Sequence, residues 1–212
     1  MPIKANQIAL LVLCGIAGIL YWQNYQKTFG DKGRLKVTHN SDSVVLSWHT
    51  DIDVPMAKRF EEAYAEWRDK TDKFIINLDS RGGSLREGRL VIELIERMKR
   101  TKKVETTVGT QAQCLSMCVP IYLRGEERSA ANNSIWMFHE PTAYDYITGE
   151  ASDENQADRR AAGERFFNKY FVNSEMDINW RNKLQKDWIG KDLWFSGQQL
   201  KDQDSNIILK LH

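Results

Sequence analysis

The sequence predicts an α/β domain built on a mainly parallel sheet, and three observations predict it. Short apolar runs such as 73–80, KFIINLDS, have the unbroken hydrophobicity of strands buried on both faces. Between such runs lie stretches with apolar residues at helical spacing, as at Met56, Phe60, Ala63, Tyr64 and Trp67. The two kinds of segment alternate along the chain, which sets parallel strands beneath crossover helices. Composition agrees: 212 residues with 42% hydrophobic and 28% charged, including 7 Trp, 8 Phe and 7 Tyr, can bury a core and exclude a disordered chain. Lys+Arg 30 against Asp+Glu 29 leaves +1, no field for a nucleic acid, and 3 Cys are too few for a disulfide scaffold.

The chain begins differently. Residues 8–22, IALLVLCGIAGILYW, carry no charge and end in Tyr21 and Trp22, side chains suited to a membrane interface. Residues 1–22 therefore read as an N-terminal membrane anchor or signal segment, short against the ~17–25 residues of a bilayer crossing. No A-x-A cleavage step follows, and Leu13-Cys14-Gly15 lacks the small residue expected before a lipid-modified Cys, so the anchor is the preferred reading over a cleaved signal or a buried helix. Residues 23–35 are polar with two Gly and read as a linker to a domain over 36–212. The expected localisation is a single-pass protein of a bacterial inner membrane with its domain in the periplasm, although Lys27, Lys32, Arg34 and Lys36 would by charge alone favour the cytoplasm.

Within the domain, 43–48 (SVVLSW) predicts a strand, 54–69 a helix and 73–80 a strand ended by Arg81-Gly82-Gly83. Ser84 can cap the next helix, with Glu87 three residues on as capping-box partner, and Leu90, Ile92, Leu94, Ile95 and Met98 carry it to Arg100. A strand at 104–109 follows, then an apolar helix over 114–123 and a strand at 134–139. Residues 153–186 read as mostly long polar helix, before a short helix in SGQQLKD and a last strand in NIILKL.

Three of these junctions carry groups that acyl transfer needs: a nucleophile, a base and backbone amides for an oxyanion. Gly82-Gly83 at a strand end can expose N–H groups because no Cβ obstructs approach. Ser116 lies near a helix start, where free amides favour negative charge, and His139 ends a strand stopped by Glu140-Pro141. Singly, each has an ordinary reading as a turn, a cap or a packing residue. Their order along the chain is more specific.

From Val44 to Ile208 the chain resembles the proteolytic subunit of the Clp protease, within the Clp-protease/crotonase-like fold. The resemblance rests on Val44-Val45-Leu46 with Thr50-Asp51-Ile52-Asp53, on Ile75-Ile76-Asn77-Leu78-Asp79-Ser80-Arg81-Gly82-Gly83-Ser84, and on the Ser116-Met117 step. It continues through an Arg-led strand from Arg128 to Met137-Phe138-His139 and Pro141, then Gly149-Glu150-Ala151-Ser152-Asp153, and ends at Lys191-Asp192-Leu193-Trp194-Phe195-Ser196. It implies repeated β-β-α units with a protruding handle helix, a ring assembled through the polar helix at 153–171, and a serine peptidase acting on peptide or protein. It makes Ser116 the nucleophile, His139 the general base and Asp192 the group that orients it, with oxyanion amides from Gly83 and Met117. No cofactor, metal or nucleic acid is implied, and an ATPase partner is not identified.

This chain departs from the family at Asp79 and Arg81, where Asn-Ser-Pro is common, and at bulky Leu115. Cys114 and Cys118 bracket Ser116, and three readings stay open: two reduced packing residues, a disulfide requiring a distorted helix start, or a metal or redox role. The functional expectation is a membrane-tethered serine hydrolase. The alternatives are a catalytically inactive scaffold, crotonase-type thioester chemistry, and a Ser-Lys dyad drawing on Lys169, Lys183 or Lys191.

Overall fold

The computed structural model of the protein describes residues 35–141 and 156–212. Strand β1 (Lys36–His39) turns back on β2 (Val44–Trp48) through an Asx turn, in which Asn40 Oδ1 accepts from the amides of Asp42 and Ser43. Helix α1 (Met56–Trp67), β3 (Lys73–Leu78), α2 (Leu85–Met98) and β4 (Lys103–Val108) follow. Next come β5 (Gln113–Leu115), α3 (Cys118–Tyr122), β6 (Glu127–Ala130) and β7 (Ile135–Phe138). Helix α4 (Gln156–Phe167) runs into a π-helical turn (Asn168–Val172), and α5 (Ile178–Asp187), β8 (Leu193–Ser196), α6 (Gly197–Asp202) and β9 (Lys210–Leu211) complete the chain.

The larger sheet has the order β1-β2-β3-β4-β6-β9, with β1 antiparallel and every later pair parallel. The smaller sheet, β5-β7-β8, lies at the carboxyl ends of the larger one: Ser80, just past β3, bridges to Cys114 of β5. One face of the larger sheet is closed by helices. Phe74, Ile76 and Leu78 of β3 and Val104, Thr106 and Val108 of β4 are buried with Met56, Phe60, Val91, Leu94, Ile95 and Met98 of α1 and α2. The alternate residues Lys73, Ile75 and Asn77 are half-buried on the opposite face, where Lys73 Nζ meets Glu105 Oε1 at 2.7 Å. Among the described residues this sheet is therefore not covered on both faces, and the alternation in KVETTV is the pattern that says so.

Helix α2 begins as expected, with Ser84 Oγ accepting from the Glu87 amide at 3.2 Å, but the capping box is not completed. The Ser84 amide donates to Ile52 O, and buried Glu87 turns away to accept from the Ala57 amide at 2.7 Å, satisfying the first turn of α1. The helix expected over 114–123 is corrected more substantially. Residues 113–115 form a strand, and the helix starts only at Cys118. Pro120 is the physical reason: in a helix begun at 114 it would be interior and without the N–H that a turn requires, whereas in α3 it occupies the first turn. Likewise the polar stretch after 155 is interrupted, with Asp177 Oδ1 capping α5 through the Trp180 amide at 2.8 Å. Phe166, Phe167, Phe171 and Trp188 form an aromatic cluster that packs this region inward.

Arg128, 1% exposed, ties the C-terminal segment to β6. Its guanidinium donates to the carbonyls of Ile207, Asn206 and Gly125 at 3.0 Å each and to Glu175 Oε2 at 2.8 Å. Arg128→Met is expected to strand these buried carbonyls and to cost about 3 kcal/mol in denaturant unfolding. A loss below about 0.5 kcal/mol would show that water replaces the guanidinium at little cost.

Among the described residues no helix is long and apolar enough to cross a membrane, and the longest, α2, has 14 residues. The expected transmembrane helix is corrected on that finding, and with it the membrane as a partner, the tethered function and the single-pass periplasmic localisation. The run at 8–22, which suggested them, lies outside the described residues, as does the linker before Leu35. The expected approach to the handle helix at 149–153 lies outside them too.

Candidate active site

Ser116 occupies the turn between β5 and α3, with φ 52°, a left-handed conformation costing a non-glycine residue roughly 1–2 kcal/mol. Neighbouring backbone holds it there. The Ser116 amide donates to Met137 O at 2.9 Å, its carbonyl accepts from Val119 N at 3.0 Å, and the Leu115 amide donates to Ser80 O at 3.0 Å. Because Leu115 pairs with Met137, the parallel register carries His139 past the end of β7 to the same place. His139 Nε2 lies 2.7 Å from Ser116 Oγ. Burial lowers the His139 pKa from its ordinary value, and the charge of Asp192 acts in the opposite direction. Near neutral pH the imidazole is therefore unprotonated and can accept a proton.

Asp192 reaches the site by antiparallel pairing, since Phe138 opposite Leu193 sets Asp192 beside His139 in register. Asp192 is exposed, and no hydrogen bond joins it to His139 among the described residues; its influence is electrostatic. Its loop is held by Glu140, which the sequence marks only as the end of a strand. Glu140 Oε2 accepts from the Gly190 amide at 2.8 Å, connecting the chain next to His139 with the chain two residues before Asp192. Asp192→Asn is expected to lower kcat by ~10²-fold and, by removing the charge that raises His139, to move the acid limb of the pH–rate profile downward. An upward shift would contradict the electrostatic link.

The Gly82-Gly83 step lies against the Ser116-Met117 step. A Cβ on Gly82 would stand 2.7 Å from Ser116 Cβ and 3.1 Å from Met117 N, and φ of 93° already excludes most side chains. Gly83 bridges to Ile52, with the Ile52 amide donating to Gly82 O and the Ser84 amide donating to Ile52 O. Strand alternation turns the Gly83 N–H to the other side. Neither that N–H nor the Met117 N–H has an acceptor among the described residues. Two such amides beside Ser116 Oγ are donors of the kind that a developing oxyanion would need. Met117 is fixed by its buried side chain, which sits on Gly88 of α2, where a Cβ would come within 2.5 Å of Met117 Cγ. The signal for that seat was a glycine inside an otherwise helical run.

The departures in the glycine loop have partners. Asp79 Oδ1 accepts from the Gln113 amide at 2.9 Å, joining β3 to β5. Arg81 grips Asp51 with Nε–Oδ1 at 3.1 Å and Nη2–Oδ2 at 2.9 Å, and that hydrogen bond raises the guanidinium pKa further. Leu115 is buried without displacing Ser116. Cys114 and Cys118 are joined in a disulfide, with Cα atoms 5.1 Å apart because Cys114 lies on a strand and not on the helix. Lys169, Lys183 and Lys191 are exposed, and Ser116 Oγ has His139 as its partner.

The Clp protease family model matches residues 41–202. Among solved structures the chain is similar to a point mutant of ClpP1 from Listeria monocytogenes, with a TM-score of 0.60 and 18% identity, covering 79% of this chain and 90% of that one. At this identity the likeness concerns the fold. No curated protein matches the chain in sequence.

Proposed function

The chain belongs to the Clp protease family, whose members are serine-protease-like hydrolases, and from that premise we propose that it is a serine peptidase using Ser116, His139 and Asp192. The observation that carries the proposal is the 2.7 Å contact between His139 Nε2 and Ser116 Oγ beside two amides that have no acceptor among the described residues. His139 takes the hydroxyl proton as Ser116 Oγ attacks a peptide carbonyl. The oxyanion forms between the Gly83 and Met117 amides, Asp192 stabilises the imidazolium through its charge, and His139 passes the proton to the leaving amine. Water then repeats the cycle on the acyl-enzyme.

The substrate is a peptide or protein, and the assembly is a homo-oligomer in which α4, polar along most of its length, faces a second copy. A Ser-Lys dyad is disfavoured by the exposed lysines, and a catalytically inactive scaffold by the intact Ser116–His139 contact. Fluorogenic peptides and activated esters incubated with the purified chain are the test. Turnover of both supports a peptidase, turnover of esters alone restricts the reading to an esterase, and no turnover of either removes it.

A further inference from the structure

We propose that the Cys114–Cys118 disulfide is a brace that positions the nucleophile and its oxyanion amide, so that its reduction lowers activity in a chain that stays folded. The inference rests on Ser116 being the nucleophile. The bond closes a ring whose intervening residues are Leu115, Ser116 and Met117, which include both the proposed nucleophile and one oxyanion donor. Without the bond, the chain between β5 and α3 would have to keep Ser116 at a positive φ by hydrogen bonds alone.

Both ends of the ring are anchored in different elements. Cys114 lies on β5, opposite Trp136 of β7 and bridged to Ser80, while Cys118 begins α3, followed by Val119 and Pro120. The bond therefore ties a strand end to a helix start across the turn that presents Ser116 Oγ to His139. Pro120 supplies no amide to this junction, and among the described residues only Val119 N donates to the Ser116 carbonyl; the other backbone bonds of the turn run out to Met137 and Ser80, so few lie within the turn itself. Both cysteines are 0% exposed, so the bond is out of reach of reductants until the turn opens, as befits a positioning element rather than a fast switch. Catalysis is sensitive to such positioning, with displacements of about 1 Å costing on the order of 10²-fold.

The chemistry balances with a dithiol as reductant. A dithiol thiolate attacks one sulfur, the Cys114–Cys118 bond breaks, and the mixed disulfide resolves to an oxidised dithiol and two cysteine thiols. Two electrons and two protons pass to the protein. An oxidised dithiol reverses the exchange.

The test compares the full chain oxidised, reduced with dithiothreitol and reoxidised, together with the Cys114→Ala/Cys118→Ala variant. Circular dichroism selects folded samples, thiol alkylation counts the free cysteines, and two readouts follow: the rate of fluorophosphonate labelling at Ser116, and amide exchange at residues 115–119. The expected result is no free thiol at these positions before reduction, labelling slowed by about 10–100-fold after it with little change in peptide KM, faster exchange at 115–117, and recovery on reoxidation. Equal labelling and exchange in both folded forms, or two free thiols in chain never exposed to reductant, would overturn it. If neither form labels, the serine-hydrolase reading fails, and exchange alone then decides whether the bond orders the turn. If the double variant does not fold, the reversible arm on the native chain gives the answer.

Discussion

Alanine at Ser116 or at His139 is expected to lower peptide turnover by about 10⁶-fold each, and the double variant by little more than either alone. The non-additivity is the informative part. In the proposed mechanism Ser116 Oγ is a weak nucleophile until Nε2, 2.7 Å away, takes its proton, so removing either partner would remove the same event. Neither substitution should cost much stability. Ser116→Ala keeps the backbone bonds to Met137 and Val119 that hold the turn, although the left-handed φ remains as costly for Ala. Activity that survives in His139→Ala with a drop of less than about 10²-fold would point to a different base.

The second large effect is expected at a residue that makes no chemistry. Gly82→Ala puts a Cβ 2.7 Å from both Leu115 O and Ser116 Cβ at a φ of 93°, so either the glycine loop or the nucleophile turn must shift. Backbone atoms cannot yield as the end of a flexible side chain can. In the proposed oxyanion hole the Gly83 and Met117 amides would then be pushed apart, and kcat/KM should fall by ~10²–10³, the value of an oxyanion donor, with a stability cost of about 1–3 kcal/mol. Gly109→Ala is the matching control: its Cβ would meet nothing within 4 Å, and both quantities should stay at the native level. If Gly82→Ala destabilises the protein yet leaves kcat/KM intact, the amides are not the oxyanion site.

Much of this arrangement is legible in the residues. Continuous apolar runs give β2 and β3, and the glycine pair marks where β3 must release the chain. Order and resemblance point to Ser116, His139 and Asp192 as candidates, and strand register brings these three to one end of the smaller sheet. What escaped the sequence was set by tertiary pairing. Strand β5 has only the three residues QCL and exists because Cys114 and Leu115 pair with Trp136 and Met137, so apolar content alone suggested a helix. Pro120 carried the correction but needs the helix start to be known before it speaks. Glu87 looked like a local cap because a capping box is a short-range pattern, whereas its partner, Ala57, is 30 residues away. Glu140 and Gly190 are 50 positions apart, and no local spacing could join them. The apolar run at 8–22 shows the opposite risk, a strong local pattern with no counterpart among the described residues.

Mass-spectrometric mapping of a fluorophosphonate adduct on the full chain tests the central claim most directly. The account predicts a single adduct on Ser116 that is absent from Ser116→Ala and forms far more slowly in His139→Ala, because the probe needs the same activated oxygen and oxyanion amides as a peptide. An adduct on another serine, or an unlabelled Ser116 in folded protein with its disulfide intact, would contradict it.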